Sequence, residues 1–213
     1  MKLYEFAPTR SIRARWMLQE LGIDFEAITV SLPSGAHRNP EYLEINPAGK
    51  VPALVDGDLR LTESGAIVLY LAEKYPERGF MPADPGQRAE VYRWMFFAIT
   101  ELEQPLWRIA RHTALYPEHE RLPADVSLAR REFTEMAAVL ETHMKDRAYV
   151  AGDRVSAADF IVAYTLDWGG EARLLGADFP RLRAYVERMY ARPRAPQRIG
   201  EIFRAMRSSP VAA

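Results

Sequence analysis

Residues 1–30 alternate strand and helix signals with short connections, and this order constrains the fold more than any other feature of the chain. Residues 3–6 form a short apolar run that is typical of a strand. Residues 11–21 carry apolar side chains at the i, i+3, i+4, i+7 spacing of one helix face, and Gly22 follows as a stop signal. Residues 25–30 are again rich in strand-forming residues. Together they predict a right-handed βαβ unit.

A second group of strand and helix signals follows a segment rich in proline and glycine. Residues 51–55 form another apolar run, a turn signal stands at 56–58, and residues 59–61 indicate a returning strand. This pattern predicts a hairpin. Residues 65–75 then predict a helix. The order βαβ followed by ββα is that of a thioredoxin-like domain, which we place at residues 1–75.

The rest of the chain has only helical patterns. The segment 76–86 is rich in proline and glycine and is predicted to be an interdomain linker. An apolar stripe at helical spacing runs from Val126 to Met144. Pro105 is expected to kink a long helix that begins near residue 87. We therefore predict an all-α domain over residues 87–213.

The composition excludes several kinds of chemistry. The chain has no cysteine, which excludes disulfides, thiolate metal ligands and a cysteine nucleophile. Its four histidines lack the spacing of a zinc motif, and the net charge is −1. We therefore expect no metal site and no binding to nucleic acid. The arginine-rich segment 181–207 is interpreted as a solvated helix face.

The location of the protein is predicted from its amino terminus and its hydropathy. The sequence opens without a signal-peptide pattern, and no apolar run reaches the length of about 18 residues that a membrane span needs. We expect a cytoplasmic protein that does not interact with a membrane. Most of its 28 basic residues are arginine, which indicates a bacterial source with a GC-rich genome.

Two hydroxyl side chains stand at the start of the first predicted helix. Thr9 or Ser11 could simply cap that helix. Alternatively, one of them could donate a hydrogen bond to a bound thiolate. Lowering a thiol pKa by two units from about 8.5 requires about 2.7 kcal/mol, and one charge-assisted hydrogen bond contributes about 1.5–3 kcal/mol. A single hydroxyl, helped by the helix amino terminus, can nearly supply that difference.

Two further segments could hold a peptide-like ligand. Ser64 opens the second predicted helix, where free N–H groups favour a carboxylate, and Glu63 beside it could bind an ammonium group. The simpler interpretation is that Ser64 only caps the helix. A cis bond between Val51 and Pro52 would turn the backbone of Val51 toward a ligand, although most X–Pro bonds are trans.

Taken together, these segments resemble the glutathione S-transferase family over nearly the whole chain. The most specific part is Asn-Pro-Ala-Gly-Lys-Val-Pro-Ala-Leu at 46–54, followed by Glu-Ser-Gly-Ala-Ile at 63–67. Gly152, Ser156 and Asp159 match the family's second signature. Ser156 and Asp159 also predict a capping box at a helix start.

The resemblance implies a set of contacts to glutathione. Val51 would pair with its cysteinyl backbone, with Pro52 in the cis form. Glu63 and Ser64 would hold the γ-glutamyl group. Lys50 would lie near the ligand, and His37 would contact the glycine end as in phi-type members.

The resemblance also implies which group activates the sulfur. Thr9 lies four residues before Arg13, which is the spacing of the catalytic serine in phi- and theta-type enzymes, and nu-type bacterial members can carry threonine there. We therefore predict a Ser/Thr-type site with Thr9, Ser11 and Arg13, in which Ser11 is the alternative hydroxyl. Arg10 departs from the beta type, which has cysteine at this position.

The function implied is that of a glutathione S-transferase that detoxifies small hydrophobic electrophiles and works as a homodimer, with glutathione as co-substrate and no metal. The electrophile pocket is placed along the helix near residues 94–112, with Trp107, Arg108 and Arg111. Two alternatives remain: a glutathione-dependent disulfide or peroxide reductase, and a non-catalytic binding or regulatory protein of the same fold.

Overall fold

The computed structural model describes residues 1–208, which form two compact units. The first unit joins Met1–Met81 to the chain from Arg192 onward, and the second is Pro82–Ala191. The sequence instead placed everything after residue 86 in one helical domain. Residues 209–213, which that prediction includes, lie outside the described residues.

The first unit contains a four-stranded mixed sheet. Its elements in chain order are β1 Lys2–Glu5, α1 Ser11–Leu21, β2 Glu26–Thr29, α2 Pro40–Leu43, β3 Ala53–Asp56, β4 Leu59–Thr62 and α3 Ser64–Lys74. The strand order is β2-β1-β3-β4. β1 is parallel to β2 and antiparallel to β3, and β3 is antiparallel to β4. The predicted thioredoxin-like arrangement is confirmed.

α1 and α3 pack against each other and supply much of the buried core of this unit. α1 begins and ends at the predicted residues. It stops because Gly22 adopts a left-handed conformation at φ 69°, which glycine tolerates without strain, and its N–H bonds to the carbonyl of Gln19.

The second unit is built of helices. They are α4 Pro85–Phe97, α5 Glu103–Ala110, α6 Pro123–His143, α7 Ala157–Glu171 and α8 Pro180–Tyr190. Short π-helical segments, Ala98–Leu102 and Arg111–Leu115, flank α5. The first of them ends three residues before Pro105, which has no N–H to donate. The side chain of Gln104 donates to the carbonyl of Ile99 at 3.0 Å.

The predicted capping box opens α7. The carboxylate of Asp159 accepts hydrogen bonds from the N–H and hydroxyl of Ser156 at 2.7 and 2.9 Å. It also accepts from the N–H of Val150 and the hydroxyl of Tyr185, at 3.0 and 2.9 Å. Burial raises the pKa of Asp159, while these four donors favour its ionised form.

A buried carboxylate on α6 caps α8 in a way that the sequence did not reveal. Glu141 accepts from the backbone N–H groups of Arg181 and Leu182 at 3.1 and 3.0 Å. It therefore satisfies two of the free donors at the start of that helix. The contact joins residues that are 40 and 41 positions apart in the chain.

The segment after α8 returns to the first unit and binds the carboxyl end of α1. Arg192 makes two hydrogen bonds of 2.7 Å to the carboxylate of Glu20. Arg194 donates to the carbonyls of Gln19 and Glu20 at 3.0 and 3.2 Å. The interpretation of the arginine-rich segment as a solvated helix face was therefore wrong for Arg192, which is half-buried and lies after the end of α8. The last helix, α9, spans Ile199–Ser208.

None of the helices within residues 1–208 is both long and apolar enough to cross a membrane. Over the same residues, no group of three or more histidine, aspartate or glutamate side chains is arranged to hold a metal ion.

Candidate functional site

The strand register brings the three sequence motifs to one end of the sheet. Tyr4 of β1 is paired with Ala53 of β3, and Ala53 is paired with Thr62 of β4. The turn that follows β1, the Val51–Pro52 segment that precedes β3, and the Glu63–Ser64 segment that follows β4 therefore all leave the sheet at the same end.

The turn after β1 holds both candidate hydroxyls. Thr9 is half-buried and its hydroxyl donates to the carbonyl of Phe6. The two hydroxyl oxygens of Thr9 and Ser11 are 2.8 Å apart. Ser11 is 2% exposed, and its oxygen accepts from the N–H of Phe6 at 3.3 Å. Thr9 is therefore the more accessible of the two hydroxyls.

A buried hydrogen bond connects α1 to the start of α3. Arg13 is 1% exposed, and its Nη1 donates to the hydroxyl of Ser64 at 3.2 Å. Ser64 is itself buried and is the first residue of α3. A buried guanidinium next to a helix amino terminus makes this end of α3 favourable for an anion.

Glu63 has a strained backbone and an exposed side chain. Its φ of 66° is positive, a conformation that non-glycine residues rarely adopt. Such residues cost about 1–3 kcal/mol and cluster at ligand sites. The strain places an exposed carboxylate directly before the amino terminus of α3.

The segment before β3 is held by two buried side chains. The hydroxyl of Tyr42 and the amide of Asn46 both donate to the carbonyl of Lys50, at 2.5 and 2.6 Å. Burial raises the pKa of Tyr42 to about 12, so it stays a donor at physiological pH. The next peptide bond, Val51–Pro52, is cis. Val51 is half-buried and Pro52 is buried.

His37 lies against the same loop. It belongs to the short 3-10 turn Ala36–Arg38. Gly49 packs so closely on this turn that an added Cβ would lie 2.8 Å from the carbonyl oxygen of His37 and 2.9 Å from Nη1 of Arg38. Only glycine fits at this position, which also has a positive φ of 58°. The basic residues His37, Arg38 and Lys50 are thus carried by one compact loop.

The three residues predicted for the electrophile pocket have different surroundings in the second unit. Arg108 forms ion pairs with Asp125 and Glu132, with its Nε 3.0 Å from Asp125 Oδ2. This hydrogen bonding raises the pKa of Arg108 and lowers that of Asp125. The guanidinium of Arg111 instead lies 5.3 Å from the ring centroid of Trp107.

Sequence reasoning missed the groups that fix these segments. Of the two partners of Lys50, Tyr42 lies in the short helix α2 and carries no motif signal, whereas Asn46 opens the motif at 46–54. Nothing in the sequence pairs Arg13 with Ser64, because these residues are 51 positions apart.

Comparisons with known proteins agree with this geometry. The model of the glutathione S-transferase N-terminal domain matches residues 1–73, and that of the C-terminal domain matches residues 104–193. Glutathione S-transferase 1 of Dianthus caryophyllus is 35% identical over 217 residues, which cover 95% of this chain and 94% of that protein. Glutathione S-transferase F10 of Arabidopsis thaliana is 37% identical over 166 residues, which cover 75% and 77% of the two chains.

Solved structures give the same result. The theta class glutathione S-transferase from Xanthomonas axonopodis pv. citri, solved with glutathione bound, matches with a TM-score of 0.82 and 27% identity, over 93% of this chain and 98% of that one. A glutathione S-transferase from Xylella fastidiosa matches with a TM-score of 0.81 and 27% identity, over 96% and 97%. The chain belongs to the glutathione S-transferase family, as the sequence motifs predicted.

Proposed function

We propose that this chain is a glutathione transferase of the Ser/Thr type, in which Thr9 stabilises the thiolate of glutathione for attack on a small hydrophobic electrophile. The observation that carries the proposal is the convergence of three segments at one end of the sheet: the hydroxyl turn at Thr9, the Val51–Pro52 backbone, and the amino terminus of α3. Each suits a different part of glutathione.

The γ-glutamyl group has a carboxylate and an ammonium group on one carbon. The amino terminus of α3 and the hydroxyl of Ser64 suit the carboxylate, and the exposed carboxylate of Glu63 suits the ammonium group. The Val51 backbone then pairs with the cysteinyl residue. Lys50 and His37 lie on the adjoining loop and suit the glycine carboxylate.

The sulfur step uses the hydroxyl of Thr9. A thiol with a pKa of about 8.5 is only about 3% ionised at pH 7. A hydrogen bond from Thr9 stabilises the anion and raises that fraction. The thiolate then attacks the electrophilic carbon, a C–S bond forms, and the leaving group departs with its electron pair.

For the electrophile, we propose that Trp107 and Arg111 contribute to binding, because the Arg111 guanidinium lies over the Trp107 ring. The ion pairs of Arg108 with two carboxylates favour a stabilising role for that residue.

The activity is tested with purified protein. Isothermal calorimetry should detect binding of glutathione, and a chloronitroarene should be conjugated at a measurable rate. A protein that binds glutathione but reduces only hydroxyethyl disulfide would instead be a reductase. A protein that binds no glutathione would contradict the proposal.

We also propose a homodimer formed through α3. Tyr70 and Leu69 on this helix are half-buried, and Leu59 of the neighbouring strand β4 is 38% exposed. An apolar surface of this kind is suited to burial against a second copy. Light scattering at micromolar concentration should give twice the 24.3 kDa mass of the chain, and a monomeric mass would contradict it. The role in detoxification, the cytoplasmic location and the bacterial source stay predictions.

A further inference from the structure

The hydrogen bonds in the turn before α1 have a defined direction. The hydroxyl of Thr9 donates its proton to the carbonyl of Phe6. A hydroxyl group has one proton and two acceptor lone pairs. The 2.8 Å contact between the oxygens of Thr9 and Ser11 therefore uses the proton of Ser11. Ser11 donates in this pair and Thr9 accepts.

Thr9 accepts a second hydrogen bond from the same residue. The backbone N–H of Ser11 lies 3.2 Å from the Thr9 hydroxyl oxygen. Both acceptor positions of that oxygen are therefore occupied by donors of Ser11. Thr9 has no lone pair left for a ligand, and its proton, which also bonds the Phe6 carbonyl, is the group that it can share with one.

We propose that Ser11 is a positioning residue that makes Thr9 exclusively a donor, so that the site favours the thiolate of a bound thiol over its neutral form. This inference rests on the proposed function, in which Thr9 contacts the sulfur. Because both lone pairs stay bonded to Ser11, the Thr9 proton keeps its direction and reaches the sulfur as a three-centre hydrogen bond that it shares with the Phe6 carbonyl. A neutral S–H would need an acceptor, and Thr9 has no lone pair left for it. The hydrogen bond from Thr9 is stronger to the thiolate than to a neutral sulfur, and this difference lowers the pKa.

Burial of Ser11 favours this indirect role. Its side chain is 2% exposed, and its oxygen accepts from the N–H of Phe6 at 3.3 Å. Hydrogen bonds in such a chain polarise one another, so the bond donated by Ser11 also strengthens Thr9 as a donor. Ser11 thus acts on the sulfur through Thr9.

A double-mutant cycle tests the inference. The thiol pKa of bound glutathione is measured by ultraviolet thiolate absorbance in the wild type, Ser11→Ala, Thr9→Val and the double variant. We expect Ser11→Ala to raise this pKa by about 0.5–1 unit when Thr9 is present. The same substitution should leave the pKa unchanged in the Thr9→Val background, because Thr9 no longer transmits its effect.

Two controls separate this role from damage to the turn. S-methylglutathione has no ionisable thiol, so Ser11→Ala should bind it with unchanged affinity. Ser11→Thr keeps the hydroxyl donor and should restore the wild-type thiol pKa. A loss of S-methylglutathione binding in Ser11→Ala, or no recovery in Ser11→Thr, would overturn the inference.

The outcomes also distinguish the inference from the function on which it rests. An equal shift from Ser11→Ala in both backgrounds would mean that Ser11 contacts the sulfur directly. No shift in either background would mean that Ser11 has no part in activation. Both results overturn the positioning role and leave the transferase intact. Failure of the wild type to bind glutathione would overturn the proposed function itself.

Discussion

The two ends of α1 are stabilised in opposite ways. At the carboxyl end, Gly22 closes the helix, Arg194 binds two of its last carbonyls, and Arg192 pairs with Glu20. At the amino end, the capping position is held by Arg10, whose side chain makes no capping hydrogen bond. The hydroxyl groups of Thr9 and Ser11 at this end bond to each other and to the backbone of Phe6 in the preceding turn.

This difference predicts that stability and function depend on opposite ends of a single helix. The carboxyl end uses its donors and acceptors to join distant parts of the chain. The amino end keeps its hydroxyls in a local network next to the predicted ligand. Substitutions at the two ends should therefore affect different measured quantities, namely the free energy of unfolding at one end and the rate at the other.

The largest effect is expected for Thr9→Val, which keeps the shape of the side chain and removes the donor. Loss of one charged hydrogen bond of about 1.5–3 kcal/mol should lower activity at neutral pH by roughly 10- to 100-fold. Steady-state rates with a chloronitroarene measure this loss. The affinity for glutathione should change little, because the γ-glutamyl and backbone contacts remain. An unchanged rate would mean that the hydroxyls at the amino end of α1 do not control activity.

Arg192→Ala tests the carboxyl end. It removes two hydrogen bonds to Glu20, whose side chain is 7% exposed. We expect the free energy of unfolding to fall by about 2 kcal/mol, since a hydrogen bond to a charged group contributes about 1.5–3 kcal/mol, with the thiol pKa of bound glutathione unchanged. The matched control is Arg78→Ala, at an exposed ion pair with Glu77, which should cost less than about 0.5 kcal/mol. Equal unfolding midpoints for the two variants would contradict this account.

A smaller effect is expected at Glu63, where a strained backbone coincides with the proposed contact to the ammonium group of glutathione. Glu63→Gln should weaken glutathione binding by about 10-fold, since it removes one charged hydrogen bond. Glu63→Gly should weaken it at least as much while keeping the free energy of unfolding or raising it by up to about 1 kcal/mol, because glycine relieves the positive φ. Calorimetry and denaturant unfolding measure the two quantities. A Glu63→Gly protein that binds glutathione normally would exclude Glu63 from the site.

The sequence predicts this molecule best where the signal is local. The bounds of α1 follow from helical spacing and a stop glycine, and the capping box of Ser156 and Asp159 follows from residues three positions apart. Strand β3 begins two residues later than the predicted apolar run because Pro52 cannot donate to the sheet ladder.

Contacts between distant segments were not predictable in this way. The return of Arg192 to α1 joins residues 172 positions apart. The cap of α8 by Glu141 and the contact of Arg13 with Ser64 are of the same kind. A short sequence motif does not indicate which distant side chain will contact its residues in the folded protein. The predicted site residues could be named from the family motifs, whereas the groups that position them came from the structure.

The measurement that tests the central claim most directly is the thiol pKa of glutathione bound to the wild type and to Thr9→Val. Ultraviolet thiolate absorbance is followed against pH, with free glutathione as the reference. We predict that the wild type lowers the thiol pKa by about two units from 8.5, and that Thr9→Val reverses about one to two units of that shift. A wild-type pKa equal to that of free glutathione, or the same lowered pKa in both proteins, would contradict the assignment of Thr9 as the group that activates the sulfur.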